Sequence, residues 1–130
     1  VGPSGCIVVK KYLKKIVEEN KINFVIANGE NAAHNGVGIT KDVLDNLIKF
    51  GVNVLTTGNH VWDHKETLKL VEDDNRLLRP LNLIGVSPGK GFEIYQSSKN
   101  FKIGVLNLMG NVFMRKSEDV FKTAENFQKK

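Results

Sequence analysis

The sequence predicts an α/β fold, a layered sandwich of mixed β-sheet with flanking helices. Two short apolar runs, residues 24–27 and 52–57, are typical of strands that are buried on both faces of a parallel sheet. Each run lies between segments that have the apolar spacing of amphipathic helices. A second pair of runs, 92–95 and 101–108, flanks the polar stretch 96–100 and indicates a hairpin with a longer loop.

The first two helices are predicted on either side of the first strand. The first runs from about residue 3 to 20, and six apolar residues are expected on its inward face: Ile7, Val8, Tyr12, Leu13, Ile16 and Val17. The second runs from Lys41 to Phe50, with Thr40 as its N-cap and Gly51 at its C-terminal end. Its expected inward residues are Val43, Leu44, Leu47 and Ile48.

A third helix is predicted directly after the second strand. Asp63, with Glu66 three residues on, matches a capping box and begins a helix that runs to about Asp74. Its buried candidates include Leu68, Leu70 and Val71. Residues 77–82 are predicted to be irregular, because Pro80 cannot donate to a strand ladder.

The last part of the chain is predicted to hold two loops, the hairpin and a final helix. Residues 85–91 form a loop rich in glycine and proline, and residues 110–114 form another. Ser117 is the expected cap of the final helix. The apolar face of that helix is formed by Val120, Phe121, Ala124 and Phe127.

Length and composition exclude several classes of protein. The chain has 130 residues, enough for one domain, and its 41% hydrophobic content supports a core. No apolar run approaches the roughly 20 residues of a membrane helix, so no membrane partner is expected. The single Cys6 excludes an internal disulfide and fits the cytoplasm. The net charge of +5 suits a phosphate-bearing ligand, although a solvated, lysine-rich surface is the simpler explanation.

Polar side chains follow both predicted parallel strands where each strand ends. Residues 28–31 read Asn-Gly-Glu-Asn, and residues 57–60 read Thr-Gly-Asn-His. If the strands are neighbours, these groups converge at the edge of the sheet where ligands bind in open α/β folds. A carboxylate with amides and an imidazole suits a divalent metal such as manganese, iron or zinc. Each segment alone is also an ordinary turn, so the pairing of the two is what favours a functional site.

The sequence around this predicted site resembles a known enzyme family. Gly58, Asn59 and His60, followed by Trp62 and Asp63, are similar to the Gly-Asn-His motif of the calcineurin-like metallophosphoesterases. The whole pattern resembles their YmdB-like branch, which contains cyclic-nucleotide phosphodiesterases. The other matching stretches occur in order along the chain: 26–33, 38–40, 78–82, 88–91 and 107–110.

The resemblance implies a role for each matching residue. Glu30 would bridge two divalent metal ions (iron, manganese or zinc), Asn31 would complete the sphere of one, and Asn59 would bind the other. His60 would be the catalytic acid over the scissile phosphate, and a metal-activated water would be the nucleophile. The implied activity is that of a phosphodiesterase, a hydrolase, with a cyclic nucleotide as substrate. No substrate-binding residue is assigned.

The sequence departs from the family pattern in two ways, and both concern whether the chain contains the whole family domain. The family begins with a strand that ends in a metal-binding Gly-Asp, and it places metal-binding histidines beyond the point where this chain stops. His34 and His64 do not match those histidines by motif. The resemblance therefore implies one truncated domain over residues 1–130, without its first strand and its C-terminal half. Such a fragment is not expected to be a competent enzyme by itself.

Three other interpretations stay open at this point. The net charge and the lysines of the terminal helices also fit a basic, non-catalytic module that binds nucleic acid or protein. An incomplete domain would expose an apolar sheet edge and associate with itself as a homo-oligomer. Arg79 could contact a phosphate, although an ion pair with an acidic side chain is favoured.

Overall fold

The computed structural model describes residues 1–85, 87–114 and 116–129. It contains four helices and five strands within those residues. In chain order these are α1 (Pro3–Glu19), β1 (Ile26–Asn28), α2 (Lys41–Lys49), β2 (Val54–Thr56), α3 (Lys65–Asp73), β3 (Leu77–Leu78), β4 (Phe92–Gln96), β5 (Lys102–Leu106) and α4 (Val120–Gln128). The predicted loop 85–91 includes Val86, which lies outside the described residues.

The strands form two sheets. Strands β1, β2 and β3 make a parallel sheet in that order, with Asn28 opposite Thr56 and Thr56 opposite Leu78. Strands β4 and β5 make an antiparallel hairpin. The predicted α/β class with mixed sheets and flanking helices is confirmed.

Side chains on the two faces of the parallel sheet pack into two separate cores. Leu55 and Leu77 belong to the core beneath the helices, which includes Leu44 and Leu47 of α2. Val54 and Leu78 point the opposite way along each strand and pack against Val105 of the hairpin. The parallel sheet is therefore the middle layer between helices and hairpin. Continuous apolar runs are what such a doubly covered sheet requires, and β2 fits this pattern.

The prediction that the first apolar run is a buried strand is wrong at Ile26. This residue is 49% exposed, and its strand, β1, lies at the edge of the sheet.

Helix α4 packs against the hairpin. The rings of Phe92 in β4 and Phe127 in α4 lie with their centroids 4.5 Å apart. No helix among residues 1–85, 87–114 and 116–129 is both long enough and apolar enough to cross a membrane.

The prediction that residues 77–82 are irregular is wrong at their start. Leu77 and Leu78 form a short strand beside β2. The Thr57 amide, just after β2, donates to the Leu78 carbonyl at 2.9 Å. Pro80 lies beyond the last ladder bond, so its missing N–H costs nothing.

The predicted inward face of the first helix is also wrong at four of its six residues. Ile7, Val8, Tyr12 and Ile16 are exposed, Ile7 by 68%. Leu13 packs against the helix-side core as predicted, beside Cys6 and Val9, which the sequence did not assign to the inward face. These residues form a narrow stripe, and α1 packs mainly against α2, so only one side of its apolar surface is covered.

Two predicted helix caps are wrong, and one is right in position. His64, not Asp63, occupies the N-cap of α3, and its side chain makes no capping bond. Asp119, not Ser117, caps α4 by accepting from the Lys122 amide at 2.8 Å. Thr40 is the N-cap residue of α2, as predicted, without a side-chain bond.

The buried face of α3 is narrower than predicted. Val71 is buried, Leu70 is half-buried and Leu68 is 46% exposed. As in α1, only the stripe that faces the neighbouring elements is covered.

Candidate active site at the carboxyl edge of the parallel sheet

The polar segments after β1 and β2 lie at one edge of the parallel sheet. Asn28 and Thr56 are paired at the ends of the two strands, and the Gly29 amide donates to the Thr56 carbonyl at 2.8 Å. Residues 28–31 and 57–60 therefore leave the sheet side by side. The predicted convergence of these segments is present in the structure.

Glu30 reaches across to the second segment. Its Oε1 atom accepts from the backbone amide of His60 at 3.3 Å. Gly58 lies directly against the carboxylate, and a Cβ atom built on Gly58 would overlap it. Only glycine at position 58 lets the Glu30 side chain lie here. Glu30 and His60, predicted from separate segments, are brought together.

His60 has a carboxylate partner. Its Nδ1 lies 2.6 Å from Oδ2 of Asp63, and both side chains are about one-third exposed. A carboxylate accepts, so Nδ1 carries the hydrogen, and Nε2 is the ring nitrogen that remains to exchange a proton with a ligand. A carboxylate that holds the ring in this way fixes both its orientation and its tautomer.

Asp63 is the site residue that sequence reasoning missed. The capping-box pattern with Glu66 assigned its carboxylate to the helix terminus. In the structure α3 begins only at Lys65, and residues 61–64 form turns that bring Asp63 back to His60. The three-residue spacing from His60 to Asp63 in a non-helical segment is the signal that could have found it.

Asn31 and Asn59 lie in the two segments beside Glu30 and His60. Nδ2 of Asn31 donates to the Gly36 carbonyl at 2.9 Å, which holds the glycine-rich loop close to the sheet edge. This bond orients the amide, so its oxygen is the atom suited to a cation. Asn59 is half-buried and directly follows Gly58.

These donors fit only part of a divalent metal site. They comprise one carboxylate and two amide oxygens, and neutral amides are weak ligands for iron, manganese or zinc. Within the described ranges, no group of three or more His, Cys, Asp or Glu residues is placed to hold a metal ion. A divalent metal ion at this edge would therefore need further ligands in addition to these three side chains.

The other two histidines lie outside this cluster. Nε2 of His64 is 2.7 Å from the Val37 carbonyl, and its ring packs against Gly38, so it fastens the glycine-rich loop to α3. His34 is exposed and lines a cavity of about 320 Å³ between α1 and α2.

Arg79 forms a backbone clamp, so the favoured ion pair with an acidic side chain is wrong. Its guanidinium donates to the carbonyl groups of Pro80 (2.8 Å), Pro88 (3.1 Å) and Ser87 (3.3 Å). Burial lowers the pKa of Arg79. The clamp holds the glycine-proline loop against the end of β3.

Comparison with known proteins decides the family. The family model described as YmdB-like protein matches residues 1–130, the whole chain. The chain belongs to the YmdB-like family. The resemblance drawn from the Gly58–His60 motif and its accompanying stretches is thereby confirmed.

Relatives of this YmdB-like chain include an enzyme and two solved structures. The 2′,3′-cyclic-nucleotide 2′-phosphodiesterase of Bacillus subtilis is 39% identical over 125 residues, which are 96% of this chain and 47% of the relative. A structure of a hypothetical protein from Thermus thermophilus superposes with a TM-score of 0.87 at 34% identity, covering 97% of this chain and 48% of that one.

A second solved structure has the same fold as this chain. It is described as a novel phosphatase of Mycoplasma pneumoniae, with a TM-score of 0.87, 31% identity, and coverage of 98% of this chain and 47% of that one. The chain thus spans about half the length of the relatives that it matches.

Proposed function

We propose that this YmdB-like chain supplies half of the active site of a metal-dependent phosphodiesterase that hydrolyses cyclic nucleotides. The observation that carries the proposal is the juxtaposition of Glu30, His60 and Asp63 at the carboxyl edge of the parallel sheet. The name of the Bacillus subtilis relative, which is 39% identical, supports the substrate class.

His60 is the proposed catalytic acid. Hydrolysis of a phosphodiester breaks a P–O bond, and the departing alkoxide needs a proton. With Nδ1–H held by Asp63, a protonated His60 can donate from Nε2 to that oxygen, and Asp63 stabilises the charged ring meanwhile. Asp63 is a positioning residue in this scheme because it acts through His60.

Glu30, Asn31 and Asn59 are the proposed metal ligands from this chain. Their oxygen atoms lie on the two segments that leave β1 and β2 together. Because they fit only part of a coordination sphere, we propose that residues 1–130 form one part of a larger domain, and that the rest of the domain provides the remaining ligands. Iron, manganese and zinc are the candidate ions.

Metal content tests this division of the site. The chain alone and a chimaera, in which residues 1–130 replace the matching half of the Bacillus subtilis relative, are dialysed and analysed for metals. We expect about two equivalents in the chimaera and far less than one in the chain alone. Glu30→Gln should lower the content of the chimaera. A metal-free chimaera that is folded by circular dichroism would contradict the proposal.

A further inference from the structure

A buried amide on the hairpin holds the strand end from which the Gly58–His60 turn starts. Asn107, which is 7% exposed, directly follows β5. Its Nδ2 atom donates to the Thr57 carbonyl at 2.8 Å and to the Leu78 carbonyl at 3.0 Å. Both acceptors are carbonyl oxygens, so the nitrogen of the amide must face them. One side chain thus joins the ends of β2 and β3.

The backbone of Asn107 extends this connection to two further segments. Its N–H donates to the Gly91 carbonyl at 2.9 Å, and its carbonyl accepts from the Leu81 amide at 2.8 Å. The backbone of Asn107, and with it the side-chain amide, is therefore fixed by the residue before β4 on one side and by the residues after β3 on the other. It cannot move without disturbing both.

The Thr57 carbonyl belongs to the peptide group that begins the active-site turn. Thr57 is itself buried, and its N–H and Oγ1 both donate to the Leu78 carbonyl at 2.9 Å. The Asn107 bond fixes the remaining polar atom of this residue and with it the plane of the Thr57–Gly58 peptide. Gly58 is where the backbone passes under the Glu30 carboxylate, and His60 follows two residues later.

We infer that Asn107 is a positioning residue for the proposed phosphodiesterase reaction: it orients the Thr57–Gly58 peptide and thereby sets His60 against Glu30 and Asp63. This role rests on the proposed function. Without the amide donors, the Thr57 carbonyl would be buried without its bond from the hairpin, and the peptide would be free to rotate. A small rotation there displaces every atom of the turn.

Asn82 provides a matched control. It is also a buried amide, and its Nδ2 donates to the carbonyl groups of Met109 (2.7 Å) and Glu118 (2.9 Å) and to Oγ of Ser117 (3.3 Å). Its Oδ1 accepts from the Met109 amide at 2.9 Å. It ties together segments that do not include residues 57–60. Asn82→Asp and Asn107→Asp each remove the Nδ2 donors of a buried amide, so their comparison separates positioning of the turn from general loss of packing.

The test compares the His60 ring in the two variants by nitrogen NMR of the chain. Asn107→Asp is expected to reduce the fraction of the Nδ1–H tautomer of His60 and to raise the hydrogen-exchange rate of the His60 amide, whereas Asn82→Asp leaves both as in the wild type. Equal changes in the two variants, or no change in Asn107→Asp, would overturn the inference. If Asn107→Asp does not fold, Asn107→Ser, which retains one donor, should show the same changes in smaller measure.

Turnover by the chimaera separates this inference from the proposed function. Asn107→Asp should lower kcat for a 2′,3′-cyclic nucleotide by about 10- to 100-fold, because misplacement of a catalytic group acts on the chemical step. KM should stay within about twofold, since the substrate contacts are not removed. Activity that is absent even with wild-type residues 1–130 contradicts the proposed function. Normal kcat in Asn107→Asp beside an active wild type overturns the positioning role alone.

Discussion

Nδ1 of His60 and Oδ2 of Asp63 lie 2.6 Å apart, three residues from each other in the turn that precedes α3. This pair occupies the end of β2, where the Gly58 backbone passes under the Glu30 carboxylate. His60 is therefore held by Asp63 through its ring, and its backbone amide donates to Glu30. A general acid beside a phosphoryl group requires this kind of fixed ring.

Removal of the Asp63 charge tests the pair. Asp63→Asn keeps the shape of the side chain but lets its amide donate, which favours a hydrogen on Nε2 of His60 rather than on Nδ1. We expect turnover by the chimaera to fall by about 10²-fold or more, with unchanged metal content. Nitrogen NMR of the ring measures the tautomer. Unaltered turnover together with an altered tautomer would mean that Asp63 does not serve catalysis.

Gly58→Ala should displace the Glu30 carboxylate and so disturb the site more than the fold. The new methyl group would overlap the Glu30 carboxylate, so Glu30 must leave its position against the His60 amide. We expect loss of metal from the chimaera but only a small change in the free energy of unfolding, measured by urea titration, because the clash is with the flexible end of the Glu30 side chain. Gly110→Ala is the control, because the space around Gly110 is open within 4 Å. Equal metal content in the chimaera with Gly58→Ala and in the chimaera with Gly110→Ala would contradict the position of Glu30 against Gly58.

Alkaline stability should depend on Tyr95. Burial, with contributions from the charges of Glu93 and Asp74, raises the pKa of Tyr95 from 10.0 to about 12. The unfolded chain ionises this phenol first, so the stability that the neutral phenol contributes is fully present below pH 10 and is lost as the pH rises towards 12. Tyr95→Phe should remove this loss. It should also cost about 1 kcal/mol near neutral pH, because the hydroxyl donates to the Asn75 carbonyl.

Denaturant titrations at several alkaline pH values measure this effect. A Tyr95→Phe variant that loses stability between pH 10 and 12 as steeply as the wild type would contradict the assignment. The Tyr12 side chain, which is 44% exposed on α1, provides a Tyr12→Phe control that should leave the slope unchanged.

Acid stability should depend on Asp74 in the opposite direction. Hydrogen bonds from the Arg76 side chain lower the pKa of Asp74 from 3.8, so its contribution is present above that pH and is lost as the pH falls below it. Asp74→Asn should remove this contribution, which is at most about 1 kcal/mol for a partly exposed pair. The control is Asp73→Asn, at an exposed neighbouring position, which should leave this contribution in place. If the free energy of unfolding of both variants changes identically with acid pH, Asp74 does not have this role.

The sequence predicts the layers of the fold well because its parallel strands are continuous apolar runs. Val54 and Leu55 must both be buried on opposite faces, which requires covering layers on each side. The convergence of Glu30 and His60 follows from the same reasoning, since parallel strands end at one edge. Both features follow from the local pattern once β1 and β2 are neighbours in the sheet.

The contacts that the sequence does not predict depend on competition between partners. Asp63 could cap a helix or hold His60, and only the position at which α3 begins decides between them. Ile7 and Cys6 both suit a helix face, and the direction from which α2 approaches selects Cys6. Arg79 could pair with an acid, but the carbonyl groups of the 87–88 loop are nearer. Tertiary placement determines each of these outcomes.

The most direct test of the proposed function is turnover of a 2′,3′-cyclic nucleotide by the chimaera with and without His60→Ala, with metal content measured on the same samples. We expect His60→Ala to lower turnover by about 10²- to 10⁴-fold and to leave the metal content unchanged. Loss of metal together with activity would make His60 a ligand instead of the acid. Undiminished turnover in His60→Ala would contradict the proposal that His60 is the catalytic acid.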